Sequence, residues 1–235
     1  MQLLKDIWQI IITAEYRNYL LEGFLHTLVL TFVAALIGLF IGLVVAIIKI
    51  FAVENKYLKI PSIICNIYTT IVRGTPVALQ LFIMVFVILA IPGFKAYAVI
   101  LTFGINSGAY VSENIRAGIL SIDKGQTEAG RALGLSQMQT MIRIVIPQAI
   151  KNVIPAIGNE LIALVKETAI ISIVGATVGT LTFELNKAME IISTKLGGNY
   201  LAPSILAALL YLVIVYTITI LINLFEKRLR ASDKR

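Results

Sequence analysis

Charge is scarce in this chain, and so are the residues that most enzymes use for chemistry. Only 14% of the 235 residues are Asp, Glu, Lys or Arg, while 58% are hydrophobic, and the mean hydropathy is +0.90. A soluble domain of this size does not hold that much apolar surface, so an all-α integral membrane protein is expected. The lone Cys65 excludes an internal disulfide framework or a cysteine metal site and leaves a free, inert thiol. The lone His26 is expected to hydrogen-bond at an interface rather than to ligate a metal. No Ser, His or Cys is arranged with Glu113 as a catalytic set, which argues against an enzyme. No G-x-x-x-x-G-K-[ST] loop occurs, so the chain has no phosphate cradle with which to bind ATP. Its start lacks a basic region followed by a small-residue cleavage site and does not read as a signal peptide.

What is present is a series of apolar runs. Residues 3–20 carry Leu3, Leu4, Ile7, Trp8, Ile11 and Ile12 at helical spacing among polar residues, the pattern of an amphipathic helix lying at the membrane interface. Five spans follow, at 24–52, 60–91, 97–119, 149–178 and 201–225. Gly38 and Gly42 in the first form a GxxxG face suited to close helix packing. In the second, Arg73-Gly74-Thr75-Pro76 predicts a break, because Pro76 removes a backbone donor and biases Thr75 away from helical geometry. A polar connector at about 182–200 precedes the last span, and Glu184 there is expected to be solvated.

A net charge of +7 is compatible with nucleic-acid binding, but the basic residues lie between the apolar runs rather than in one patch. They read as topology signals. With the C-terminus inside the cell, thirteen Lys and Arg fall on the cytoplasmic side and five outside, with Arg73 and Lys166 in the membrane interior. That balance predicts an external N-terminus and a cytoplasmic C-terminus.

The same balance places the polar stretch 128–147, EAGRALGLSQMQTMIRIVIP, in the cytoplasm. Gly134 ends a short helix over 127–133, and Ser136-x-x-Gln139 is a capping-box pattern that opens a second helix running into Pro147. Gly130 is expected to weaken the first helix slightly. Within the spans, Glu113, Arg116, Glu160, Lys166 and Glu167 each need a partner or a wet cavity, since a charge at a helix centre costs about 2.5–3.5 kcal/mol on insertion scales. Glu113 and Arg116, three apart, can pair with each other. Pro155 and Gly158 just before Glu160 predict an irregular helix able to line a cavity. Lys166 and Glu167 read as boundary residues with a structural role.

These residues carry a resemblance. Glu128-Ala129-Gly130, Gly134, Ile144, Ile146 and Pro147 match the EAA–Gly–Ile-x-Leu-Pro cytoplasmic loop of bacterial ATP-driven importer permeases, with Gly130 in place of the third Ala and Ile146 in place of Leu. Together with RGTP at 73–76, AYVSENIRAGI at 109–119 and PAIGNELIALVKETAIIS at 155–172, the chain resembles permease subunits of polar amino acid ABC importers, the histidine/glutamine/arginine branch, from about His26 to Arg230. The resemblance implies a type I importer permease of the bacterial cell membrane, with Glu128, Ala129, Leu133, Gly134 and Pro147 in the loop that docks on an ABC ATPase dimer. It implies no cofactor in this chain, with ATP and Mg held by the ATPase. The implied partners are a second permease chain, most simply another copy of this one, and an extracytoplasmic amino-acid-binding protein, besides membrane lipid.

For a zwitterionic substrate, Arg116 can bind the carboxylate in a two-pronged hydrogen bond, and Glu160, Asn159 or Glu113 can accept from the ammonium. The extra carboxylates favour a basic side chain, so import of arginine, lysine or histidine by alternating access is expected. The rival is an ion-coupled secondary transporter or channel. It calls for an ion site and often an inverted repeat, and five spans do not divide into equal halves.

Overall fold

The computed structural model describes residues 1–53 and 55–231. Lys234 and Arg235, which enter the charge balance, lie outside the described residues. Among those described the chain is all-helical.

The amphipathic helix α1 (Gln2–Ile12) ends at Thr13, whose backbone is extended, and α2 (Ala14–Phe51) starts at once. The expected interfacial helix over 3–20 is thus split. Its second half is the N-terminal end of a 38-residue helix that rises about 57 Å, more than the roughly 30 Å of hydrocarbon requires. The surplus is covered by protein: a Cβ on Gly23 would sit 2.9 Å from the Leu185 Cα. Buried Asp6 ties α1 down, accepting from Gln2 Nε2 at 2.8 Å and from Asn199 Nδ2 at 2.6 Å.

The break at RGTP is real. Helix α3 (Lys59–Gly74) and helix α4 (Val77–Ile83), which runs on through one π-helical turn to Ile88, meet at 107° across extended Thr75 and Pro76. Gln80 holds the corner. Its amide nitrogen lies 2.8 Å from both Val72 O and Thr75 Oγ1, and its amide oxygen accepts from Asn106 Nδ2 at 3.0 Å. The Val72 carbonyl, which Pro76 has no N–H to serve, is thereby satisfied by a side chain.

Asn106 belongs to α5 (Lys95–Leu120), the most enclosed helix of the bundle. It packs along α2 through a reciprocal pair of GxxxG faces. A Cβ on Gly38 or Gly42 would meet Ser107 or Val111 at 2.8 or 2.5 Å, and one on Gly104 or Gly108 would meet Ile37 or Ile41 at 2.6 or 2.8 Å. Close backbone approach of this kind supplies dispersion contacts where lipid offers no hydrophobic drive.

The next segment forms α6 (Lys124–Ala132) and α7 (Gln137–Thr140), a π-helical turn over 141–145, and α8 (Ile146–Glu167). Pro147 sits in the first turn of α8, directly after the π-helical turn. After α8, a 3₁₀ stretch to Val174 and an irregular segment lead to α9 (Leu185–Lys195) and α10 (Leu201–Ala231). Of the five expected spans, α2 and α10 are long and apolar enough alone, and α3 with α4 pass as one bent span. Helices α5 and α8 carry more polar residues because they face protein.

Candidate functional site

Three residues on one face of α5 organise the interior: Ser107, Tyr110 and Glu113, spaced three apart, so each rung lies about 4.5 Å along the axis from the next. Glu113 is the best satisfied. Its Oε1 accepts from Lys49 Nζ of α2 at 2.5 Å, and its Oε2 accepts from Arg116 Nε at 2.9 Å. Arg73, at the end of α3, brings Nη1 to 4.0 Å. The side chains of Lys49 and Glu113 are only 10% and 15% exposed, so this is a mostly desolvated ion pair with a second, wetter cation beside it. The expected Glu113–Arg116 pairing is present. Lys49 and Arg73 come from other helices, 64 and 40 positions away in the chain, which spacing rules do not reach.

One rung up, the Arg73 guanidinium lies over the Tyr110 ring, 5.3 Å from its centroid. A further rung up, Ser107 faces Glu160 of α8, and both line a cavity of about 200 Å³ between α2, α5 and α8 whose other walls include Phe32, Leu36, Leu39 and Ile157. Glu160 is half-buried and has no ion-pair partner within 4.0 Å among the described residues. Glu167 one stripe along is likewise half-buried, and Arg73 is near enough to act electrostatically on Glu160. Asn159 is exposed and does not line this cavity. Of the four residues singled out for substrate, the fold therefore joins Glu113 to Arg116, sets Glu160 two rungs away, about 9 Å along α5, and leaves Asn159 outside. Arg73 and Tyr110 stack on the rung between. The RGTP motif contained Arg73, yet nothing local says that it turns toward α5. A larger, wholly apolar groove of about 320 Å³ near the other end, bordered by Leu43, Ile47, Ile119 and Ile146, offers no polar group to hold a zwitterion.

The stretch 128–147 folds as the two short helices its pattern predicts, with α6 starting earlier, at Lys124, where Asp123 accepts from Gly125 N at 2.8 Å as N-cap. Gly134 has φ +80°. Leu135 N bonds Gly130 O at 3.1 Å and Gly134 N bonds Arg131 O at 2.9 Å, a Schellman end. The capping box of Ser136 and Gln139 is complete. Gly130 is buried, and a Cβ there would lie 2.6 Å from Thr140 Cγ2, so its absence of side chain lets α6 and α7 touch. Glu128, Ala129 and Leu133 stand outward, Leu133 80% exposed, while Gln148 and Asn152 tie the loop to Gln126 and Ser121.

At the opposite end of the bundle, Glu184 departs from expectation. It is fully buried rather than solvated, because as N-cap of α9 it accepts from Asn186 N at 2.6 Å, Lys187 N at 2.9 Å and Tyr211 Oη at 2.9 Å. His26 Nδ1 lies 3.1 Å from Phe183 O, a bond within the protein. Among the described residues no group of acidic, His or Cys side chains could hold a metal.

Residues 38–231, most of the chain and all of the helices just described from mid-α2 onward, match the family of binding-protein-dependent transport system inner membrane components. The chain belongs to that family. This permease is 40% identical over 219 residues to the arginine transport system permease protein ArtQ of Bacillus subtilis, covering 92% of this chain and 94% of that one. It is also 40% identical over 214 residues to a protein named as the glutamine transport system permease GlnP of Rickettsia typhi, covering 90% and 93%. Among solved structures, an amino acid ABC transporter determined with histidines aligns with a TM-score of 0.78 at 37% identity, covering 91% of this chain and 95% of that one. The chain is thus a multi-pass, helical membrane subunit of an ABC importer. The permease is not itself catalytic, and the ATPase is a separate partner.

Proposed function

We propose that this permease imports polar L-amino acids, with a preference for the basic ones, arginine, lysine or histidine, by alternating access driven by a separate ATPase dimer. The observation that carries the reading is Glu160, a half-buried carboxylate that faces a cavity without an ion-pair partner among the described residues, while three cations gather around Glu113 two rungs along α5. An uncompensated carboxylate at membrane depth is costly unless an incoming cation completes it. In this reading Glu160 accepts from the substrate ammonium, the cation-rich cluster around Glu113 and Arg116 receives its carboxylate, and Asn159 contributes from the side of α8 turned toward a second permease chain. The names of the relatives, one arginine and one glutamine system, agree with a polar amino acid and divide over the side chain.

The loop of Glu128, Ala129, Leu133, Gly134 and Pro147 is proposed as the cytoplasmic contact with the ATPase, with the N-terminus outside and the C-terminus inside. Leu133 offers an apolar knob, and the two capped helices make a rigid block through which nucleotide-driven closure can be passed to α5 and α8. Two copies of this chain and an extracytoplasmic binding protein complete the importer.

The test is uptake into proteoliposomes by the permease with its ATPase and binding protein, across arginine, lysine, histidine and glutamine, for the parent and for Glu160→Gln. Basic substrates are expected to be preferred, and Glu160→Gln to reduce uptake at least tenfold, the loss of one charge-assisted hydrogen bond. Preference for glutamine overturns the basic assignment. Uptake that follows an ion gradient without ATPase overturns the ATP-driven reading.

A further inference from the structure

The cation-rich cluster holds three cations around one carboxylate, and they are not equivalent. Lys49 takes Glu113 Oε1 and Arg116 takes Oε2, so Glu113 is complete without Arg73. Arg73 approaches only to 4.0 Å, beyond hydrogen-bond range, and among the described residues its guanidinium makes no hydrogen bond. It is nevertheless positioned: the ring of Tyr110 lies against it, and the side chain remains 44% exposed. A stacked guanidinium with five free donors is the arrangement that receives a planar carboxylate with little loss of freedom.

Its place on the α5 ladder matters as much. Arg73 lies over Tyr110, and Glu160 lines a cavity with Ser107, the two α5 residues being neighbours three apart on the helix. The ammonium and carboxylate of an α-amino acid hang from one carbon, and each reaches its partner through a charge-assisted bond of about 2.7–2.9 Å. An α-amino acid whose ammonium is held by Glu160 thus meets Arg73 before the rung of Glu113 and Arg116, which is already closed by its own ion pairs. We infer that Arg73 is the specificity residue that recognises the α-carboxylate of the transported amino acid, while Arg116 and Lys49 serve to neutralise Glu113. The inference rests on the amino acid reading above and deepens it. It makes the substrate class one defined by the free α-carboxylate.

Arg73 is also the penultimate residue of α3, directly before the 107° bend, and a Cβ on Gly74 would meet nothing within 4 Å. A carboxylate held by Arg73 is thus held beside the corner of the broken span.

The experiment uses the permease–ATPase complex in lipid nanodiscs and equilibrium binding of radiolabelled L-arginine and L-glutamine, each compared with its decarboxylated analogue, agmatine or 4-aminobutanamide. The parent is expected to bind at least one L-amino acid and to discriminate against its analogue. Arg73→Ala is expected to weaken the amino acid about 10- to 100-fold, as for loss of a charged hydrogen-bond pair, and to leave the analogue unchanged, so the discrimination collapses. Arg73→Lys, a charge without the fork, is expected to restore part of it. If Arg73→Ala does not assemble with the ATPase, Arg73→Gln provides the same readout. Equal discrimination in parent and variant overturns the assignment while leaving amino acid transport standing. Failure of the parent to bind any amino acid overturns both. An Arg73 effect seen only in phosphatidylglycerol discs, and not in phosphatidylcholine, identifies a lipid phosphate as the anion and also overturns it.

Discussion

Replacing Glu113 by glutamine keeps the shape of the side chain and one hydrogen-bond acceptor but removes the charge that three cations share. The consequence falls mainly on Lys49, whose side chain is 10% exposed and whose remaining contact is Thr69 Oγ1 at 3.3 Å. Arg73 and Arg116 are about two-fifths exposed and reach water, and exposed pairs of that kind contribute about 0–1 kcal/mol. Leaving one member of a buried pair uncompensated costs about 3–5 kcal/mol. Because neither side chain is fully buried and the glutamine oxygen still accepts, the lower end applies, about 3 kcal/mol. Lys49→Met should cost less, since Glu113 keeps Arg116. In the double variant the two losses should overlap, with a coupling energy of about 1–3 kcal/mol. The assay is equilibrium unfolding of the purified permease in detergent, for parent, single and double variants, beside uptake in proteoliposomes. A Glu113→Gln protein within about 0.5 kcal/mol of the parent, or a double variant whose losses simply add, refutes the structural role given to Glu113. If uptake is then lost with stability unchanged, Glu113 acts on substrate directly.

Gly42→Val places methyl groups where a Cβ alone already lies 2.5 Å from Val111 Cγ1, so α2 and α5 must separate; a loss of about 1–3 kcal/mol is expected, with uptake falling more steeply than stability because Ser107 moves with α5. Gly134→Val meets no atom within 4 Å but must hold φ near +80°, a strain of about 1–2 kcal/mol. The variant should remain in the membrane by fractionation and lose ATP-driven uptake, and normal uptake would remove the coupling role from this turn. Glu184→Ala strips the N-cap of α9 and the partner of Tyr211, for about 0.5–2 kcal/mol from the cap and about 1–3 kcal/mol from the orphaned hydroxyl; unfolding in detergent should show it, whereas a neutral outcome would mean that α9 is held without its cap.

Composition and local pattern determined much of this protein. The scarcity of charge required helices in a membrane, because lipid leaves no other partner for backbone groups. Pro76 after Thr75 fixed the broken span, Gly134 and the Ser136/Gln139 box fixed the loop, and Gly38/Gly42 marked a packing face, each a signal carried within a few residues. The three-residue spacing of Glu113 and Arg116 gave their pairing for the same reason. Local pattern went astray where a residue's partner lies far along the chain. Helix α2 runs unbroken through Gly23, where α9 packs against it, and Glu184 is buried by α9 and α10 rather than solvated. Gly38 and Gly42 marked one packing face, but that Gly104 and Gly108 of α5 lie opposite them was decided by the tertiary structure. The candidate site is the clearest case. Sequence supplied Glu160, Glu113 and Arg116 as charges in need of partners, and only tertiary structure decided which of them are already satisfied. Lys49 and Arg73 arrive from two other helices, since helix packing, not chain spacing, sets the distances between charges at membrane depth.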